Sequence, residues 1–327
     1  MHHNYSPSSE QLQYLSQWGK IDRDACLKKR SNWKVGGLAK AIIEPDSTHS
    51  LVSIIKYSAE HNLPNIFFGA STNLLFSEEG LTPLAITPGK KLSNLHLDGQ
   101  TIIAECGVWV PQLARFANNN GLTGLEHIIG IPGTLGGLIC MNGGSLRKAI
   151  SEYLISVTAV SPEGVVKQFS KEECGFAYRS SVFQNNGYII LSASFQLPRD
   201  SSSKQSHSDM LNILRDRRRK FPRKLPNCGS VFVSNPAMYA DYGTPGSIIE
   251  RCGLKGVQQG DAQISPLHAN FIVNNGNAKA QDILYLIYII RRAVREATGY
   301  SMPSEVRYVE PNGAIIVAHE KAEDLYG

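Results

Sequence analysis

In CGSVF, residues 228 to 232, a hydroxyl stands at the mouth of an apolar run, directly behind a strongly basic segment. A serine nucleophile would need a G-x-S-x-G elbow and a paired histidine. The elbow is absent, and nothing in the sequence ties His268, the nearest base, to Ser230. An alcohol is a very weak acid, and general acid catalysis works best when the donor matches the basicity of what it protonates. Ser230 is therefore better suited to protonating a carbanion than an ordinary leaving group; its other reading is a turn serine. Arg179 in AYRSS offers a planar fork to a carboxylate, or a structural ion pair. Glu305 opens EVRYV and shares a strand face with Arg307, with which it can pair.

Two small-residue loops point to a different chemistry. GIPGTLGG, residues 130 to 137, can bring backbone N–H groups close to a phosphate, or it can be a structural turn. Pro132 occupies the place of the second glycine of G-x-G-x-x-G, and no G-x-x-x-x-G-K-[ST] occurs. FGASTN, residues 68 to 73, follows a strand and adds Ser71, Thr72 and Asn73 as hydrogen-bonding groups. Two such loops in one half of the chain suggest a long ligand containing a diphosphate. The 6 cysteines (Cys26, Cys106, Cys140, Cys174, Cys228, Cys252) are widely spaced, with no C-x-x-C pair, so neither a metal site nor a disulfide framework is expected.

The elements that must position these groups are legible in outline. Asp46 is placed to cap a helix to about His61, with Leu51, Ile54, Ile55 and Ala59 at helical spacing; Pro64 then starts the strand NIFF. TIIAEC (101–106) reads as a strand, Pro111 opens a helix over QLARFANNN, and Gly121 stops it. LISVTAV, VVKQF and YIILSASFQL mark a β-rich block between 154 and 197, and PRDSSSKQSHSD (198–209) reads as a linker. A basic helix follows, then the strand SVFVS, a helix around SIIERCG, the strand NFIV, a long helix over 279–297 and the strand EVRYV. The fold class is α+β. The expected boundaries are an N-terminal segment 1–33, a first domain 34–199, a smaller one 200–310, and a short, partly disordered tail 311–327.

A chain of 327 residues with 42% hydrophobic and 19% charged composition can fill more than one core. The first thirty residues hold no apolar run of signal-peptide length, so the expected location is the cytoplasm. ILYLIYII (283–290) is too short to span a bilayer and reads as a buried helix, and no membrane association is expected. The net charge of +5 owes much to RDRRRKFPRK (215–224), either a solvated helix end or a landing site for an anionic ligand. Nucleic acid is disfavoured as that ligand, because the charge is confined to one short run without an accompanying motif.

The order of these signals resembles the UDP-N-acetylenolpyruvoylglucosamine reductases, flavoenzymes that complete UDP-N-acetylmuramate for peptidoglycan synthesis. The resemblance runs from about Ser31 to Val309 and is carried by SNWKVGG (31–37), FGASTN, GLEHIIGIPGTLGGLICMNGG (124–144), YRSS (178–181), PNCGSVF (226–232), GLKG (253–256), HANFIVN (268–274) and EVR (305–307). It implies a two-lobed FAD-binding domain of the vanillyl-alcohol-oxidase type and a smaller α+β substrate-binding domain. The FAD would be held by Gly69, Ala70, Ser71, Thr72 and Asn73, by Gly130, Ile131, Pro132, Gly133, Thr134, Gly136 and Gly137, and by Asn142. By the same resemblance NADPH is the co-substrate and reduces the flavin. UDP-N-acetylglucosamine enolpyruvate then takes its place, and hydride passes from flavin N5 to the vinyl methylene carbon. Arg179 would clamp the substrate carboxylate, Glu305 would stabilise the enolic intermediate, and Ser230 would deliver the proton. Arg223 and Lys224 are candidates for the UDP diphosphate.

The chain departs from the family pattern in places. Ser71 and Thr72 stand where glycine and serine are usual, so a backbone position suited to positive φ carries a side chain. Ser31, Asn32 and Trp33 replace N-T-[YF], and Leu267 replaces a frequent lysine. The short span from CGSVF to HANFIVN favours the type without an extra tyrosine loop, and a monomer is expected. The rival readings are another FAD-dependent oxidase or dehydrogenase on the same scaffold, and a nonenzymatic nucleic-acid-binding protein, which a steeply salt-dependent filter-binding assay would revive.

Overall fold

The computed structural model describes residues 6–199, 203–234 and 236–327. The chain forms two compact units, each assembled from separated pieces: unit 1 from residues up to Arg23, Ala41–Ala70 and Pro83–Arg217, and unit 2 from Asp24–Lys40, Ser71–Thr82 and Arg218–Gly327. Of the five crossings, three fall within the strands Gly19–Cys26, Leu38–Pro45 and Leu81–Ile86, which with Asn65–Phe67 make a four-stranded sheet; the others fall in the loop at Ala70–Ser71 and in the helix Ser203–Lys220.

Unit 1 contains a five-stranded antiparallel sheet in the order Leu95–Asp98, Thr101–Glu105, Ile189–Gln196, Leu154–Val160, Val166–Ser170. The register sets Ala193 opposite both Ala104 and Val157, so residues at period two from these strands share one buried face. The helix Thr48–Glu60 buries Leu51, Ile54 and Ile55 as the periodicity predicts, whereas Ala59 is exposed and Ser58 is buried in the last turn. Its cap is Ser47, which accepts from the Ser50 N–H at 3.0 Å, and not Asp46, whose carboxylate pairs with Lys91. The helix Val110–Asn119 carries Pro111 in its first turn and ends before Gly121 at φ +67. The polar stretch expected as a linker is helical from Ser203, within Ser203–Lys220. Ser206 and Met210 are buried there, and the Ser206 hydroxyl reaches Thr123 Oγ1 at 3.2 Å.

Unit 2 packs around the helix Ala280–Thr298, with Ile283, Leu284, Leu286, Ile287, Ile290 and Val294 buried and Gly299 closing it at φ +76. ILYLIYII is thus a core helix, and among the described residues no helix is long and apolar enough to cross a membrane. One three-stranded sheet runs Gln258–Gln259, Ala262–Ile264, Ile272–Asn274. A second runs Ile315–Val317, Arg307–Val309, Leu74–Phe76, its last two strands parallel with Arg307 opposite Leu74.

Three further expectations change. SVFVS is not a ladder strand; only Phe232 bridges, to Ser304, because the Asn270 side chain occupies both backbone groups of Phe232, accepting from its N–H at 2.9 Å and donating to its C=O at 3.0 Å. The strand at EVRYV starts at Arg307, leaving Glu305 in the bend before it. The segment after Pro311 is not a disordered tail: it forms Ile315–Val317 and the helix Ala318–Tyr326, because Ala318 and Ala322 are fully buried and Glu323 pairs with Arg291 at 3.0 Å.

Candidate active site

In unit 1 the glycine-rich stretch is a close backbone approach. Gly133 sits at φ +141, and its C=O accepts from the Val110 N–H at 3.0 Å. Leu135 and Gly136 N–H groups go to the Val108 and Cys106 carbonyls, both at 2.8 Å. A Cβ on Gly69 would fall 2.1 Å from Thr134 Oγ1, and one on Gly136 3.2 Å from Cys106 Cβ. Gly69 and the 130–137 loop, expected to serve one ligand, therefore meet. Ala70, Ile131 and Thr134 are half-buried beside them, Pro132 and Gly137 are exposed, and the Ile131 N–H closes a turn to the Ile128 C=O at 3.0 Å. A Cβ on Gly130 would lie 2.3 Å from Cδ of Arg217, so one member of the basic run lies over this loop.

Asn142 is buried at φ +41; its Nδ2 donates to the Ala177 C=O at 2.9 Å, while its Oδ1 is enclosed with no hydrogen-bond partner. A buried orphan acceptor in a left-handed conformation is costly unless something supplies a donor. That acceptor, together with glycines that leave no room for side chains, fits a bound FAD. Arg179 lies nearby in the fold at φ +55, with its Nη2 donating to the Gly144 C=O at 3.3 Å and its guanidinium 5.3 Å from the Tyr178 ring.

His127, read only as part of GLEHIIG, is a further buried group of this unit. It is 2% exposed, its Nδ1 accepts from the Ser145 N–H at 3.5 Å, and its Nε2 has no partner. Burial holds its pKa down to about 4, so the ring is neutral.

In unit 2, Ser230 and Glu305 hang from one pair of backbone segments. The Glu305 N–H donates to the Val231 C=O at 2.8 Å, and the Val233 N–H donates to the Pro303 C=O at 3.1 Å. Both residues are half-buried, and Gly229 ahead of Ser230 takes φ +80. Asn73 Nδ2 donates to the Glu305 C=O at 3.0 Å. Ser71 is buried at φ +52, so this position takes the conformation glycine favours; its hydroxyl accepts from the Asn32 N–H and donates to the Arg30 C=O, both at 3.2 Å. Thr72 is half-buried in the same turn. Cys228 Sγ reaches the Ser71 and Leu74 carbonyls at 3.5 and 3.6 Å, and burial pushes its thiol pKa up, leaving it unreactive.

Asn270 was read only as part of a motif, yet it holds both backbone groups of Phe232 and accepts the Val231 N–H on its own C=O at 2.9 Å. A buried amide behind an apolar β-like run was the available signal. Trp33 is fully buried with its indole N–H on the Ile272 C=O at 2.7 Å, which makes SNWKVGG a core-forming motif. His268 packs against Phe221 and Phe271, and its Nδ1 accepts from the Asn270 N–H at 3.3 Å. Arg223 and Lys224 are exposed. Among the described residues no group of three His, Cys, Asp or Glu could hold a metal.

Comparison with known proteins agrees with this division of labour. The profile of an FAD binding domain matches residues 39–170, and that of the UDP-N-acetylenolpyruvoylglucosamine reductase C-terminal domain matches 221–309. UDP-N-acetylenolpyruvoylglucosamine reductase 1 of Corynebacterium glutamicum is 40% identical over 303 residues, 93% of this chain and 90% of the relative. The enzyme of the same name from Nostoc sp. is 37% identical over 93% of this chain and 92% of its own. The crystal structure of UDP-N-acetylenolpyruvylglucosamine reductase from Thermus caldophilus superposes with a TM-score of 0.75 at 29% identity, covering 89% of this chain and 99% of that one. The fold is thus α+β, an FAD-binding domain joined to a smaller C-terminal domain, and the chain is a flavin-dependent oxidoreductase belonging to the UDP-N-acetylenolpyruvoylglucosamine reductases.

Proposed function

We propose that the chain reduces UDP-N-acetylglucosamine enolpyruvate to UDP-N-acetylmuramate with NADPH as the reductant, in the cytoplasm and as a monomer. The observation that supports it best is the joining of Ser230 and Glu305 through the Glu305 N–H to Val231 C=O bond, with Asn73 gripping the far side of Glu305. FAD, when bound, supplies the two-electron chemistry that links NADPH to the vinyl methylene of the substrate. Gly69, Ala70, Gly130, Ile131, Pro132, Gly133, Thr134, Gly136 and Gly137 would hold it chiefly by backbone, with Ser71, Thr72 and Asn73 completing the first loop. Asn142 Oδ1 would accept one of its donors.

The remaining chemistry falls to side chains of the substrate site. The Arg179 fork binds the substrate carboxylate and draws electron density toward it as the neighbouring carbon gains charge. Glu305 stabilises the resulting enolic form. Ser230 gives its proton to that carbon, closing the new C–H bond, and is reprotonated from solvent. Arg223 and Lys224 add positive charge for the UDP diphosphate.

An anaerobic visible spectrum tests the whole reading. NADPH should bleach the flavin bands, and the enolpyruvate should restore them in the same cuvette. Bleaching without return would point to a different electron acceptor, and a protein that stays colourless with FAD supplied would overturn the reading.

A further inference from the structure

The C-terminal helix returns to the segment that carries Glu305. Ser304, immediately before it, is 5% exposed, and its N–H donates to His319 Nδ1 at 3.2 Å. The His319 N–H in turn donates to Ser304 Oγ at 3.2 Å, and Oγ lies 3.1 Å from Nδ1. Because Nδ1 accepts an amide proton, the ring carries its own proton on Nε2. One residue earlier in the helix, the Ala318 N–H donates to the Val306 C=O at 3.0 Å, so both neighbours of Glu305 are tied to the same helix end. The helix is anchored independently, by fully buried Ala318 and Ala322, by Arg291–Glu323 at 3.0 Å and by Tyr326 on the Gln281 C=O at 3.2 Å.

We propose that His319 is a positioning residue for the reaction: it fixes Ser304 by a reciprocal pair of hydrogen bonds and thereby sets the direction of the Glu305 side chain. The proposal rests on the role given to Glu305 above. Glu305 is already held on its own N–H by Val231 and on its own C=O by Asn73, so the Ser304 N–H link to His319 fixes the next peptide back, Pro303–Ser304, and with it the torsions that lead into Glu305. A misplacement of about 1 Å in a catalytic group can slow a reaction on the order of a hundredfold.

The test is anaerobic stopped-flow on the FAD-loaded protein, following flavin reduction by NADPH and then reoxidation by the enolpyruvate. His319→Phe keeps ring bulk but has no acceptor, and should slow reoxidation by about 10- to 100-fold while reduction stays within about twofold and the half-saturating enolpyruvate concentration is unchanged. His319→Asn places an amide oxygen near the former Nδ1 and should recover most of that loss. Glu323→Gln, which loosens the helix elsewhere, should lower the melting temperature without touching either half-reaction. Reoxidation at the wild-type rate in His319→Phe would overturn the proposal, as would an equal loss in both half-reactions or no recovery in His319→Asn. Should His319→Phe not fold, Ser304→Ala removes the Oγ half of the pair and keeps the backbone half; slowed reoxidation with unchanged reduction supports the proposal, and an equal loss in both half-reactions overturns it. A wild-type protein not reoxidised by the enolpyruvate, or a Glu305→Gln variant with normal turnover, would instead remove the reading beneath the proposal.

Discussion

The glycine-rich loops of unit 1 and the Ser230–Glu305 segments of unit 2 are built on opposite principles. In the loops, side chains are kept out: a Cβ on Gly69 would clash with Thr134 Oγ1, at 2.1 Å, and Gly133 takes φ +141. In the segments, side-chain amides are brought in to hold backbone: Asn270 on Phe232, Asn73 on Glu305 and Asn274 on Trp33 at 2.8 Å. A surface that must approach an extended anion needs bare peptide groups at close range. A pair of residues that must hold a proton donor and a carboxylate in fixed directions, without a continuous sheet behind them, needs polar side chains in place of strand partners.

The contrast can be broken from either side. The largest effect belongs to Ser230→Ala, which should slow reoxidation by the enolpyruvate by roughly 10²- to 10⁴-fold and leave flavin reduction by NADPH nearly intact; equal loss in both half-reactions would remove the serine from proton transfer. Next, Asn270→Ala leaves both backbone groups of Phe232 buried without partners, and should cost unit 2 about 2–4 kcal/mol in urea unfolding. Gly69→Ala should weaken FAD retention, at about 1–3 kcal/mol for the forced displacement of Thr134, read by fluorescence of released flavin. Turnover per bound flavin should be preserved, and Thr134→Ala beside it should recover part of the loss.

The smallest effect concerns acid. His127 is protonated near 6.5 when unfolded and only near 4 in the fold, so the unfolded chain takes up the proton first. Stability from this group is complete above about pH 6.5 and falls as pH drops toward 4. Thermal melts across that range should show the decline, and His127→Phe should flatten it.

Much of the fold was legible because the long helices and the central strands of unit 1 carry their period in their own apolar residues. Leu51, Ile54 and Ile55 mark one helix, and the 283–290 run marks another. What misled was composition without period. The serines and charges of 198–209 read as a linker, although Ser206, Met210, Ile213 and Leu214 lie at helical spacing and pack within unit 1. SVFVS misled in the other direction, since its partner is the amide of Asn270 and a side chain leaves no strand pattern. Within the site, the glycines of 130–137 and the hydroxyl of Ser230 announced themselves by type. His319 and His127 did not, because each acts through a neighbour distant in sequence; the basic run 215–224 stood out, but not the approach of Arg217 to Gly130. Ser71 shows a milder case: the positive φ was foreseeable, while the Asn32 and Arg30 partners that accompany it were not.

The parallel pairing of Leu74–Phe76 with Arg307–Val309 has a consequence for synthesis on the ribosome. The early strand emerges long before its partner is made, and at roughly 5–20 residues per second it waits on the order of ten to fifty seconds. During that interval Leu75 and Phe76, fully buried in the finished protein, lie along an unpaired edge. The nascent chain therefore passes through a window in which a holding chaperone or premature self-association competes for the same short apolar strand.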